Sequence, residues 1–248
     1  MSFQLRPILS DIKELYSKPR SPQRFQEYLA MLQGNTKGDM ALPIVGFNPM
    51  AKEHIMEKIA QLEALQAEEL IADVLRDLNN SIEKDPHGEI TVVVNIADDL
   101  MGAWTNGYTT DYDSKFKLSA FVSRRFCVPH FWTSENYSTE LIETRVKSYA
   151  YRMQYLMVNP LPVTLEDHVK QETYVERELG LSIALDSDAY QALDNFYLDH
   201  RDSDDYSLIF NFFYGDDASS SLGYKTYGIT GATGYDYSRY QSSREGKS

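Results

Sequence analysis

The sequence predicts an α+β fold: a small mixed or antiparallel sheet packed by several helices, one of them long. Three observations point there. Residues 89–95 form a short β-branched run with the composition of a buried strand. Asn106-Gly107, flanked by residues that suit a pleated surface, supplies the residue types of a type I′ hairpin turn. Most of the remaining chain places apolar residues at helical spacing.

The sheet is expected from about 90–96, 103–122 and 206–214. Lys115 to Val122 alternates, with Phe116, Leu118, Ala120 and Val122 on one side. Tyr206 to Tyr214 is apolar nearly throughout, as in a strand buried on both faces.

The helices follow from their spacing and their caps. Ile8, Ile12 and Leu15 share a face, and Ser21-Pro22 offers a cap followed by a proline at the first helical position. Asn48-Pro49 opens a long helix that reaches about Ile82, roughly 50 Å at 1.5 Å per residue. Its stripe changes face between Ile55, Ile59, Leu62 and Ile71, Val74, Leu75, Leu78. The helix is therefore interrupted near Gln66–Glu69, or its halves bury against different neighbours. Thr139 starts a helix ending near Val158, with Ile142, Val146, Tyr149, Met153 and Leu156 inward. Thr164 caps a helix over Leu165 to Leu179, with Asp167 as the second half of a capping box and Gly180 as the stop. Another helix follows Asp186-Ser187. From Gly215 onward the composition turns to Gly, Ser, Tyr and Thr, so 216–248 is expected as a tail on a single domain of 1–215.

Composition bounds function. The 248 residues carry a net charge of −13, the wrong balance for binding phosphate backbones or an anionic membrane surface. Neither a nucleic-acid nor a membrane partner is expected. Cys127 is the single cysteine, which excludes an internal disulfide and a multi-cysteine zinc site. The first residues lack a secretory pattern, so a cytoplasmic location is expected. There is no GxxxxGK[ST], HExxH or GxSxG motif, and no GxGxxG following a strand.

Three constellations carry chemistry. On the helix over 165–179, His168, Glu172 and Glu176 fall within the apolar stripe. Four-residue spacing lets an imidazole and a carboxylate share one metal ion, and it equally suits a buried network with Arg124, Arg125, Arg145 or Arg152. Asp98-Asp99 and Asp111/Asp113 bracket the expected hairpin and offer carboxylates to a hard divalent cation. Trp104, Asn106, Tyr108, Arg124, Arg125 and Trp132 combine aromatics with arginine, as binding surfaces do. No complete catalytic signature emerges. The first reading is therefore a non-enzymatic interaction or assembly protein with a protein partner or homo-oligomeric state. The competing reading is a divalent-metal hydrolase built on His168, Glu172, Asp98, Asp99, Asp111 and Asp113. A small-molecule binding domain using the aromatic–arginine set is third.

Overall fold

The computed structural model describes residues 1–34, 39–44, 46–51, 53–81, 88–100, 105–181, 183 and 185–245. The fold is α+β, and its residues fall into two compact units. The first comprises Met1–Ser114 and Leu118–Ala150; the second comprises Lys115–Lys117 and the chain from Tyr151 onward. No helix among the described residues is long and apolar enough to cross a membrane.

The first unit begins with β1 (Ser2–Leu5), α1 (Leu9–Ser17), α2 (Pro22–Gln33), α3 (His54–Ala64) and α4 (Ala67–Ser81). It continues with β2 (Glu89–Val92), β3 (Asn95–Ala97), α5 (Gly107–Phe116), α6 (Ser119–Arg124), β4 (Phe126–Cys127), β5 (His130–Trp132) and α7 (Thr139–Val158). The last two residues of α5, Lys115 and Phe116, belong to the second unit, and α7 belongs to the first as far as Ala150.

All strand pairings among the described residues are parallel. β2 lies between β1 and β4, and β3 pairs with β5. Backbone bonds from Val93 N to Cys127 O (2.9 Å) and Asn95 N to Pro129 O (3.0 Å) carry the ladder across the gap between the two pairs. Residues 91–97 and 126–132 thus run side by side as one ladder. Ile90, Val92, Val93, Val94, Ile96 and Ala97 are all buried, the continuous apolar pattern of a covered parallel strand. The outer edge of β1 is closed by the Asn79 carboxamide, which accepts from Phe3 N (2.7 Å) and donates to Phe3 O (2.8 Å).

The antiparallel hairpin is overturned. Asn106 caps a helix instead of turning a hairpin, its Oδ1 accepting from Thr109 N at 3.1 Å, and Gly107 is the first residue of α5. The alternation over 115–122 spans the end of α5 and the first four residues of α6. The long helix is also corrected. Asn48-Pro49 lies in a turn, α3 starts at His54, and Gln66 adopts a left-handed φ of 49° that separates α3 from α4.

The second unit contains the rest of α7, α8 (Leu165–Leu179), α9 (Ser187–His200), α10 (Tyr206–Ser221) and α11 (Gly234–Glu245). α8 carries the expected capping box of Thr164 and Asp167 and ends on left-handed Gly180. The strand expected at 206–214 is a helix. Asp205 caps it through bonds from Ser207 N and Leu208 N, and Leu208 to Phe213 are buried on every side. Gly215, at φ 79° and ψ 177°, breaks α10 in a conformation suited to glycine.

Residues 216–248 were expected as a tail. The described part completes α10, forms a loop and supplies α11. The Asp216 carboxylate accepts from the backbone N–H groups of Tyr227, Gly228 and Ile229 and from Asn211 Nδ2 (3.0–3.2 Å), which fixes the loop. α11 packs along α8 and brings Gly234 onto Phe212, where an added Cβ would lie 2.5 Å from the ring. Gly234→Ala is therefore expected to destabilise the second unit by about 1–3 kcal/mol. Urea unfolding measures it, and an unchanged midpoint would contradict this packing.

Candidate functional site

The parallel ladder in the first unit delivers two chain segments to the same place, the carboxyl ends of β3 and β5. Asp98 and Asp99 follow β3, and Thr133 and Ser134 follow β5. Loops at the carboxyl ends of parallel strands are where such sheets build their sites.

Asp98 is buried, with its side chain 2% exposed. His54 Nε2 lies 2.9 Å from Asp98 Oδ1. Thr133 Oγ1 donates to Oδ1 (3.2 Å), and Asn48 Nδ2 donates to Oδ2 (3.3 Å). Asn48 is itself held, because its Oδ1 accepts from Met50 N and its carbonyl accepts from the Tyr16 hydroxyl. The His54 side chain is 22% exposed, so the imidazole is anchored from within and open on one side. Next to it, Asp99 accepts from Thr133 Oγ1 (2.9 Å), Ser134 N (3.0 Å) and Ser134 Oγ (2.6 Å). Behind Tyr16, the buried Arg24 guanidinium sits 4.5 Å from the ring centroid. Among the described residues its Nε and Nη2 have no hydrogen-bond partner, so those N–H groups retain unused donor capacity.

A buried carboxylate that fixes one imidazole nitrogen sets the tautomer and aims the other nitrogen outward. That arrangement suits proton transfer. Asp98 and Asp99 were legible as candidates, whereas His54 was not. It stands 44 residues from Asp98, and nothing near it in sequence marks it as special.

Other sequence candidates are dispersed. Asp111 and Asp113 lie on α5, and Asp113 is exposed. Among the described residues, no group of three His, Cys, Asp or Glu side chains is placed to hold a metal ion. Trp132 is buried on β5, Arg124 and Arg125 are exposed at the end of α6, and Asn106 and Tyr108 are exposed at the start of α5. Trp104 lies outside the described residues.

His168, Glu172 and Glu176 belong to the second unit and share the buried face of α8. Arg152 grips Glu172 in a two-pronged ion pair, Nε to Oε1 at 2.8 Å and Nη2 to Oε2 at 2.6 Å. Gln171 Nε2 adds a bond to Oε1 at 3.0 Å. Arg239 from α11 pairs with Glu176 in the same way, at 2.7 and 3.2 Å. The His168 ring contacts Phe116 at 4.8 Å between centroids, and its Nδ1 meets Thr164 O at 2.7 Å. Both carboxylates are thus paired with an arginine, which explains why they occupy an apolar stripe.

Comparison with protein-family models, curated proteins and solved structures finds no match.

The network fixes a pH dependence. Burial pushes the His168 pKa below its ordinary 6.5, against weaker opposition from the Thr164 carbonyl and Glu172. Burial alone would raise Glu172, but the charge and hydrogen bonds of Arg152 outweigh it and hold the carboxyl below 4.5. Both groups bind protons more readily when unfolded, so stability falls as pH falls. We expect a plateau above pH 6.5, a decline below it as His168 charges on unfolding, and a steeper loss below 4.5. Urea midpoints across pH 3–8 measure this, and His168→Gln removes the upper limb.

Proposed function

We propose that the first unit is an acid–base enzyme in which His54 transfers a proton to or from a small polar substrate. The observation that carries this reading is the 2.9 Å contact between His54 Nε2 and the buried Asp98 carboxylate, at the carboxyl ends of parallel strands. Asp98 orients the imidazole, while Nδ1 meets the substrate. Thr133 and Asn48 keep the carboxylate in place. The Ser134 hydroxyl donates to Asp99, the residue that follows Asp98. Hydrolysis by an activated water is the reaction class this supports, with His54 as general base.

The test is turnover of chromogenic acetate, phosphate and peptide-amide esters and anilides, followed across pH. The expected result is hydrolysis of one class, reduced at least about 100-fold in His54→Ala and strongly in Asp98→Asn. Equal rates in His54→Ala, or no turnover by the native protein on any class, would defeat the reading.

The protein-interaction or assembly reading keeps one specific support. Val158 at the end of α7, and Leu161 and Val163 in the connection to α8, are exposed by 66%, 38% and 61%. Exposed apolar side chains close together in sequence are a common mark of a covered surface. It predicts a solution mass that rises with concentration, and that Val158→Lys with Val163→Lys abolishes the rise. A constant monomer mass would remove it.

A further inference from the structure

The second unit contains an open cleft of about 490 Å³, and its lining combines aromatic faces with positive charge. Val169, Lys170, Thr173, Tyr174 and Arg177 come from one side of α8, since spacings of three, four and seven share a face. Tyr155 of α7, Tyr197 of α9, and Tyr237 and Gln241 of α11 complete it. Its volume falls in the range of small-molecule sites.

The chemistry of the lining is selective. The chain has a net charge of −13, yet among the described residues the lining holds two cations and no carboxylate. Lys170 and Arg177 pair with Glu166 and Glu178 at 2.9 and 3.2 Å, outside the lining, and all four are substantially exposed. Exposed pairs of that kind contribute little, so each cation is free to exchange its partner for a ligand anion. Arg177 also lies over the Tyr174 ring at 5.2 Å, which pre-orients its guanidinium. Tyr155 and Tyr174 form a ring pair at 5.4 Å, and Tyr197 meets Tyr237 at 5.4 Å, so two aromatic pairs line the cleft. Tyrosine faces stack on planar rings, and their hydroxyls donate to anionic oxygens. Burial raises the pKa of Tyr155 and Tyr197 and pushes that of Tyr174 up to about 12, so these hydroxyls stay protonated donors at neutral pH.

We propose that this cleft binds a small ligand made of one planar ring system bearing a phosphate or a carboxylate. The ring stacks against the tyrosines, and the anion bridges Lys170 and Arg177. The site is independent of His54 and Asp98.

Calorimetric titration of the full chain tests it with four probes: adenosine 5′-monophosphate, 4-hydroxyphenylacetate, adenosine and inorganic phosphate. The expected result is saturable one-site binding of one of the first two with a dissociation constant below about 1 mM. Which of them binds decides between a phosphate and a carboxylate. The ring without an anion and the anion without a ring should each bind at least about tenfold more weakly. Lys170→Ala/Arg177→Ala and, separately, Tyr174→Leu should weaken binding by about tenfold or more while thermal unfolding confirms that the variants are folded. The first pair is exposed and lies outside the core. Should neither ring-bearing anion saturate, or should the double variant bind as the native chain does, the proposal is wrong. A phosphate-only response lost in the double variant would also overturn it, because the ring would then contribute nothing.

Discussion

The parallel ladder of residues 91–97 against 126–132 is the constraint on which the first unit depends. Parallel strands cannot be joined by a tight turn, so each pairing requires a long crossover, and the helices exist in that number to provide it. Covering both faces demands an apolar residue at nearly every position, which residues 90–97 supply except at Thr91 and Asn95. The same pairing brings two distant chain segments out at one end of the sheet. Asp98 and Thr133, separated by 35 residues, meet there because Ala97 and Trp132 are in register.

The second unit is governed by a different necessity. α8 buries three ionisable groups, and each must find a partner that water can no longer provide. Arg152 meets Glu172 and Arg239 meets Glu176, both through two hydrogen bonds. Two-pronged geometry fixes orientation as well as charge, so these pairs set how α7 and α11 lie against α8.

Much of this was legible in the chain. The boundaries of α8 follow from Thr164, Asp167 and Gly180, because capping is local chemistry. The buried stripe of α7 was equally readable from spacing, and the change of face along 55–78 left an interruption near Gln66 as one of two alternatives. The failures share a cause. Asn106-Gly107 suits a type I′ turn and a helix start alike, and long-range packing decides between them. An apolar run of nine residues suits a covered strand or a helix buried all round, and Asp205 immediately before it was the neglected sign of a helix. The uninterrupted β-branched run at 90–94 already favoured parallel pairing over a half-exposed hairpin. Of the site, Asp98 stood out as half of an acidic pair, but His54 could not, since its partner is contributed by tertiary structure alone.

The place of α11 has a consequence for biosynthesis. Residues 234–245 come late in the chain, yet they cover α8 and neutralise Glu176. While translation proceeds, α8 emerges more than fifty residues ahead of Arg239 and must wait, with Glu176 unmatched, for that segment to clear the ribosomal exit tunnel. The second unit therefore completes its core only after synthesis has passed α11, and a nascent chain halted in the loop after α10 would present a sticky, half-covered helix to chaperones.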